Sequence, residues 1–114
     1  MKNPPKTYGA SIELSLRWDK SSAGRSGAYY DGEPIEYECI HNSRDSVLLL
    51  HVYWQSDTWI LDVRDARKEY KRVVFHATVC HVDMFPISGD GQLTIERVLD
   101  MAATRFAYWC MKSI

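Results

Sequence analysis

The stretch Val47 to Val63, VLLLHVYWQSDTWILDV, decides the fold. An apolar run, Val47–Trp54, is followed by four polar residues, Gln55-Ser56-Asp57-Thr58, and then by a second run, Trp59–Val63. Runs of this length, rich in β-branched and aromatic residues, predict the two strands of a hairpin with the polar tetrad as its turn. Ser and Asp suit that turn because their side chains hydrogen-bond nearby backbone groups. Val47 to Leu50 is apolar throughout, so both faces of the first strand are expected to be covered, as in a central strand.

Working toward the N-terminus, Asn42–Asp45 is a turn. Before it, Ile35, Tyr37 and Cys39 alternate with Glu36 and Glu38. That alternation, begun by Pro34, predicts a strand whose outer, water-facing side carries both glutamates. Further back, Ile12, Leu14, Leu16 and Trp18 alternate with Ser11, Glu13, Ser15 and Arg17, the pattern of a half-buried strand. Asp19–Gly27 is small, polar and glycine-bearing, and reads as a loop. Its Gly24-Arg25-Ser26-Gly27 is not a phosphate-binding loop, because the following Lys-Ser/Thr pair is missing. Met1–Tyr8, with two prolines, reads as an extended leader.

Toward the C-terminus, Arg64–Arg72 is dense in both charges and fits either one helical turn or a wide loop. Val73–Phe85 then alternates: Val73, Phe75, Ala77 and Val79 are expected to face inward, and Val74, His76, Thr78 and Cys80 to occupy the other face. Thr94–Ser113 is the helix. Thr94 serves as its N-cap and Glu96 lies in the first turn, where the helix dipole favours it. Ile95, Val98, Leu99, Ala102, Phe106, Trp109 and Cys110 recur at helical spacing as an apolar stripe.

The predicted fold is therefore α+β: an antiparallel meander of about five strands, followed by one C-terminal helix packed on one face. Residues 9–114 form a single domain after the leader 1–8. The stripe is expected to bury Ile12, Leu14, Leu16 and Phe75. One helix covers five strands only if the sheet curls strongly; otherwise apolar surface remains for a partner.

The 114 residues suit one domain, and 46% hydrophobic with 25% charged residues excludes a disordered or fibrous class. No apolar run approaches the roughly 18–20 residues of a membrane span. The N-terminus lacks the apolar core of a secretory signal, so a cytoplasmic location with no membrane partner is expected. Cys39, Cys80 and Cys110 are odd in number and contain no CxxC pair, which argues against a disulfide framework and a complete zinc site. A net charge of −1 gives no general pull toward nucleic acid.

Four histidines raise a metal site. His81 with Asp83, and His76 with Cys80, each share a strand face, and His51 lies on the central hairpin. No spacing supplies a third ligand, so structural or surface histidines, with no metal or other cofactor, are expected. Cys80 and His81 are neighbours on a strand, point oppositely and cannot form a nucleophile–base pair. Cys39 could meet His76 only if the second and fifth strands were adjacent.

Two charged regions remain. Asp31, Glu33, Glu36 and Glu38, flanked by Tyr29, Tyr30 and Tyr37, form an acidic stripe suited to a basic protein partner. Arg64, Arg67, Lys68, Lys71 and Arg72 form a basic segment, extended by Arg97, Arg105 and Lys112. Asp62, Asp65 and Glu69 interrupt it, so a solvated, compensated face is the default. Trp54, beside Tyr53 at the hairpin tip, is either an exposed contact anchor or a turn-packing residue.

The function expected from these patterns is a non-enzymatic interaction module: an inhibitor, an immunity-type protein or an adaptor binding another protein. Tyr30, Glu33, Glu36, Glu38, Trp54, Arg67, Lys68 and Lys71 are its contact residues. One alternative is a nucleic-acid-binding protein using residues 64–72 and the C-terminal helix. Another is a small enzyme or ligand-binding protein with a pocket between sheet and helix. Edge-strand pairing into a homodimer is a further use of the fold.

Overall fold

The computed structural model describes residues 6–8, 12–21, 29–30, 33–44, 46–67, 72–81 and 95–112, with side-chain surroundings for 14–21, 35–44, 46–67, 72–81 and 95–112. In chain order the elements are β1 (Lys6–Tyr8), β2 (Ile12–Leu14), β3 (Asp19–Lys20), β4 (Tyr29–Tyr30) and β5 (Glu33–Pro34). They continue with β6 (Glu36–Asn42), β7 (Val47–Gln55), β8 (Thr58–Asp65), β9 (Val73–His81) and α1 (Ile95–Lys112). The fold is α+β, with an antiparallel five-stranded sheet in the order β3-β6-β7-β8-β9 and one C-terminal helix. β1 pairs with β2, and β4 with β5, as separate two-stranded hairpins.

The central hairpin follows its sequence closely, but its turn is tighter. β7 runs to Gln55 and β8 starts at Thr58, so Ser56 and Asp57 alone make the loop, with φ of 50° and 61°. Positive φ at both central residues is the geometry whose twist matches the flanking strands. The Thr58 hydroxyl closes the turn by hydrogen-bonding Asp57 Oδ1 at 3.2 Å.

On the inner face Leu50, Val52, Trp59, Leu61 and Val63 are fully buried against the helix residues Val98, Leu99, Ala102 and Phe106. Phe75 of β9 stacks on Trp109 with ring centroids 5.4 Å apart, and His41 of β6 meets Phe106 edge-on at 5.2 Å. Each fully buried Val, Leu or Phe contributes roughly 1.5–3 kcal/mol of transfer free energy, so this layer is the main source of stability. Among the described residues these side chains form one continuous core between sheet and helix.

Several expectations are revised. The alternation at Leu14, Leu16 and Trp18 is real, since all three are buried while Ser15 and Arg17 are exposed. The predicted first strand nevertheless divides. Ile12–Leu14 pairs with Lys6–Tyr8, which belonged to the expected leader, and Asp19–Lys20, expected in a loop, pairs with Glu38 and Tyr37. Alternation reports which side is apolar, not which strand supplies the hydrogen bonds. Arg64 and Asp65 continue β8 rather than opening a loop or helical turn, and Asp65 N–H donates to Arg72 O at 3.0 Å. Trp54 faces inward opposite Trp59 and packs, half-buried, against the core, which favours its packing role over an exposed anchor. Thr94, the Asp83–Phe85 end of the predicted fifth strand, and the side chain of Ile12 lie outside the described residues.

β9 also carries two irregularities. Trp59 pairs with Cys80 and Ile60 with Thr78, which leaves Val79 as an extra residue. Val63 pairs with Phe75 and Arg64 with Val73, which does the same for Val74. A one-residue bulge re-aims everything beyond it. Cys80 therefore turns inward, opposite Trp59 and against the core, and no longer shares a face with His76.

A polar cluster on the outer sheet face

The face of the sheet turned away from α1 is assembled from cross-strand rows. Residues opposite each other in register share a face, so the ladders place Glu38, His51, Asp62 and His76 in one row across β6, β7, β8 and β9. One row toward the hairpin turn lie Glu36, Tyr53, Ile60 and Thr78; one row the other way lie Ile40, Leu49, Arg64 and Val73. Four strands span about 14 Å, so three rows make a compact patch.

Its polar side chains are bonded to one another. His51 Nε2 and Glu36 Oε2 lie 3.1 Å apart, with Glu36 0% and His51 3% exposed. The Tyr53 hydroxyl donates to Asp62 Oδ2 at 3.0 Å, while Asp62 Oδ1 pairs with His76 Nδ1. Arg64 Nη2 approaches Asp62 Oδ2 at 3.9 Å, and the His51 ring stacks on Tyr53 with centroids 5.0 Å apart. Burial, with the adjacent Asp62 charge and hydrogen bond, pushes the Tyr53 hydroxyl up to about 12, so it stays a protonated donor at neutral pH.

Asp62 is thus a buried carboxylate with one oxygen toward His76 and the other toward Tyr53 and Arg64. Such a carboxylate fixes the orientation of the more exposed imidazole beside it. The thiols lie elsewhere. Cys39 faces inward opposite Leu50, where burial raises it to about 11, and burial also raises Cys80 and Cys110. β6 and β9 are separated by β7 and β8, so Cys39 and His76 do not meet. Among the described residues no group of three or more His, Cys, Asp or Glu is placed to hold a metal ion.

The predicted contact residues are distributed differently from the expected stripe. Glu36 and Glu38 do share the outer face, but Glu36 is fully buried against His51 and is not part of a wet surface. The reason is that alternation defines a face without saying whether water reaches it. Tyr30 and Glu33 are register partners in the β4–β5 hairpin, and their side chains lie outside the described residues. Arg67 is exposed and pairs with Asp65 at 3.8 Å; Lys68 and Lys71 lie outside the described residues. Glu36 is level with Tyr53, whereas the Ala66 N–H bonds Val47 O. Six residues of β7, roughly 20 Å, therefore separate the level of Glu36 from that of Ala66.

His51, Tyr53, Asp62 and His76 were not singled out together from sequence. Their visible trace is polar side chains at outward positions of otherwise apolar strands: His51 and Tyr53 in VLLLHVYW, and Asp62 in WILDV. Beside the patch, Arg17, Asp19, Glu38, Cys39 and Ile40 line a shallow cavity of about 170 Å³. Small-molecule sites typically enclose about 300–1,000 Å³, so this hollow is undersized for a drug-like ligand.

These features define a small α+β domain with one sheet face sealed by a helix and the other carrying a hydrogen-bonded polar cluster. Comparison with protein-family models, with curated proteins and with solved structures finds no match to this chain. Among the described residues no helix is long and apolar enough to cross a membrane.

Proposed function

We propose that this chain is a non-enzymatic protein-binding module, of the inhibitor, immunity or adaptor kind, which meets its partner on the outer sheet face. The observation that carries this reading is where apolar surface stays open. The large exposed hydrophobic residues among those described are Ile40 at 62%, Val73 at 38%, Val74 at 39% and Tyr108 at 47%. Ile40 and Val73 end the same outer-face row, Val74 adjoins it, and Arg64 lies within it. An apolar strip containing an arginine and bordered by polar groups has the composition of a contact surface. The occupant it suits is an apolar segment of another protein, flanked by groups able to hydrogen-bond Glu38 and His76. The three free thiols suit a reducing compartment such as the cytoplasm.

The test compares Ile40→Asp and Val73→Asp with Arg105→Glu, which changes the exposed side of α1. Proteins captured from lysate by the wild type are purified and their affinities measured for each variant. The outer-face substitutions should weaken binding at least about tenfold, equivalent to roughly 1.4 kcal/mol, and Arg105→Glu should not. Equal affinity for all variants, or weakening by Arg105→Glu alone, would overturn the assignment.

A further inference from the structure

Asp19 of β3 and Glu38 of β6 are register partners, so their carboxylates rise from the same side of the sheet on neighbouring strands. Like charges set opposite each other are unfavourable in the free chain, and a cation placed between them relieves that cost. Arg17 supplies only part of the relief. Its Nε lies 3.6 Å from Asp19 Oδ1, with side chains 73% and 58% exposed, and pairs so open to water are weak. These three charged residues, with Ile40 and the buried Cys39, line the cavity of about 170 Å³. A cavity of about 150 Å³ holds a benzene-sized group, so this one has room for a single side chain. Its lining sets two carboxylates against one guanidinium, and Ile40, 62% exposed, gives it an apolar wall.

We propose that this hollow seats one arginine side chain, carried by the protein that meets the outer sheet face. The proposal rests on the outer-face reading for the carrier and adds the chemistry of its anchor. Long basic side chains lay their stems on apolar surface and keep the charged head among polar groups, so the stem lies along Ile40 and the head reaches Glu38. Guanidinium and carboxylate also match as a two-point hydrogen-bonded pair, which fixes the direction of the anchor. An acidic anchor is disfavoured, since it would be set against both carboxylates while the guanidinium there is already turned to Asp19. A bare metal ion is disfavoured too, because among the described residues no group of three or more His, Cys, Asp or Glu is placed to hold one. Ile40 joins the hollow to the apolar row that ends at Val73, so the residues beside the arginine in the partner are apolar.

The probe is N-acetyl-arginine methylamide, compared with its citrulline analogue, in which an uncharged urea of similar shape replaces the guanidinium. Each is titrated into the full chain and followed by the backbone amide resonances. The arginine probe should shift the signals of Asp19, Glu38 and Ile40 with a dissociation constant on the order of 1–10 mM, and the citrulline probe should bind at least about tenfold more weakly. Glu38→Gln should remove that preference, and Arg17→Gln, which frees Asp19 from its competitor, should tighten arginine binding. Equal binding of the two probes, shifts that map elsewhere, absence of saturation, or weaker binding in Arg17→Gln would overturn the proposal. No partner is present in this titration, so its outcome is distinct from that of the Ile40→Asp comparison. Arginine binding with partner affinity unchanged by Ile40→Asp rejects the outer-face partner and not the site; affinity lost in Ile40→Asp with no arginine binding rejects the anchor alone.

Discussion

Replacing His51 with Phe tests whether the buried Glu36–His51 contact is a working interaction. The phenyl ring is close in shape to imidazole and can keep the stack on Tyr53, so packing changes little while a hydrogen bond to Glu36 disappears. Hydrogen bonds involving a charged group contribute roughly 1.5–3 kcal/mol, and both residues are almost wholly shielded from water, so a loss in that range is expected. In a Glu36→Gln background the carboxyl group is replaced by an amide, and a typical hydrogen bond contributes only about 0.5–1.5 kcal/mol, so the same His51→Phe change should cost less there. The difference, about 1–2 kcal/mol, is the coupling a double-mutant cycle reads. Urea unfolding of the four proteins, followed by tryptophan fluorescence, measures it. If the two substitutions add to within about 0.5 kcal/mol, or His51→Phe is neutral, the contact contributes nothing and the reasoning fails.

Three further outcomes follow from the same geometry. Ser56→Asn/Asp57→Gly places in the β7–β8 turn the pair that tolerates positive φ best, and should stabilise by roughly 0.5–1.5 kcal/mol; an unchanged or lower Tm would refute the turn assignment. Burial holds His41 below its usual range, so the unfolded chain takes up a proton at a pH where the folded one does not. Its contribution is therefore complete above about pH 6.5 and declines as the pH falls through that value. His41→Phe, which preserves the edge-on contact with Phe106, should reduce the loss of stability between about pH 7.5 and pH 5.5, and an identical loss would contradict it. Tyr53→Phe removes a donor from the buried Asp62 carboxylate and should cost roughly 1–3 kcal/mol in urea unfolding; a neutral result would mean that water replaces the hydroxyl.

Most of the fold could be read from local pattern. The hairpin at Val47–Val63, the alternation at Leu14, Leu16 and Trp18, and the stripe from Ile95 to Cys110 all report apolar periodicity, the strongest short-range signal available. Features that depend on pairing were less accessible. That Lys6–Tyr8 and Asp19–Lys20 are strands depends on partners several residues away, and the Val79 bulge, which parts Cys80 from His76, has no local marker. The polar cluster falls between these cases. Once a meander is assumed, the register brings Glu38, His51, Asp62 and His76 into one row, but only the packed chain tells that Glu36 is sealed from water while Ile40 is open to it.

The central claim is that a partner sits on the outer sheet face at the Ile40–Val73 row. Its most direct test is a photo-crosslinking residue placed at position 40 in one variant and at position 108, on the exposed side of α1, in another. Both are irradiated in living cells that express the natural partner. The outer-face account predicts an adduct with a distinct second protein from position 40 and none from position 108. No adduct at position 40, or the same adduct at both positions, would contradict it.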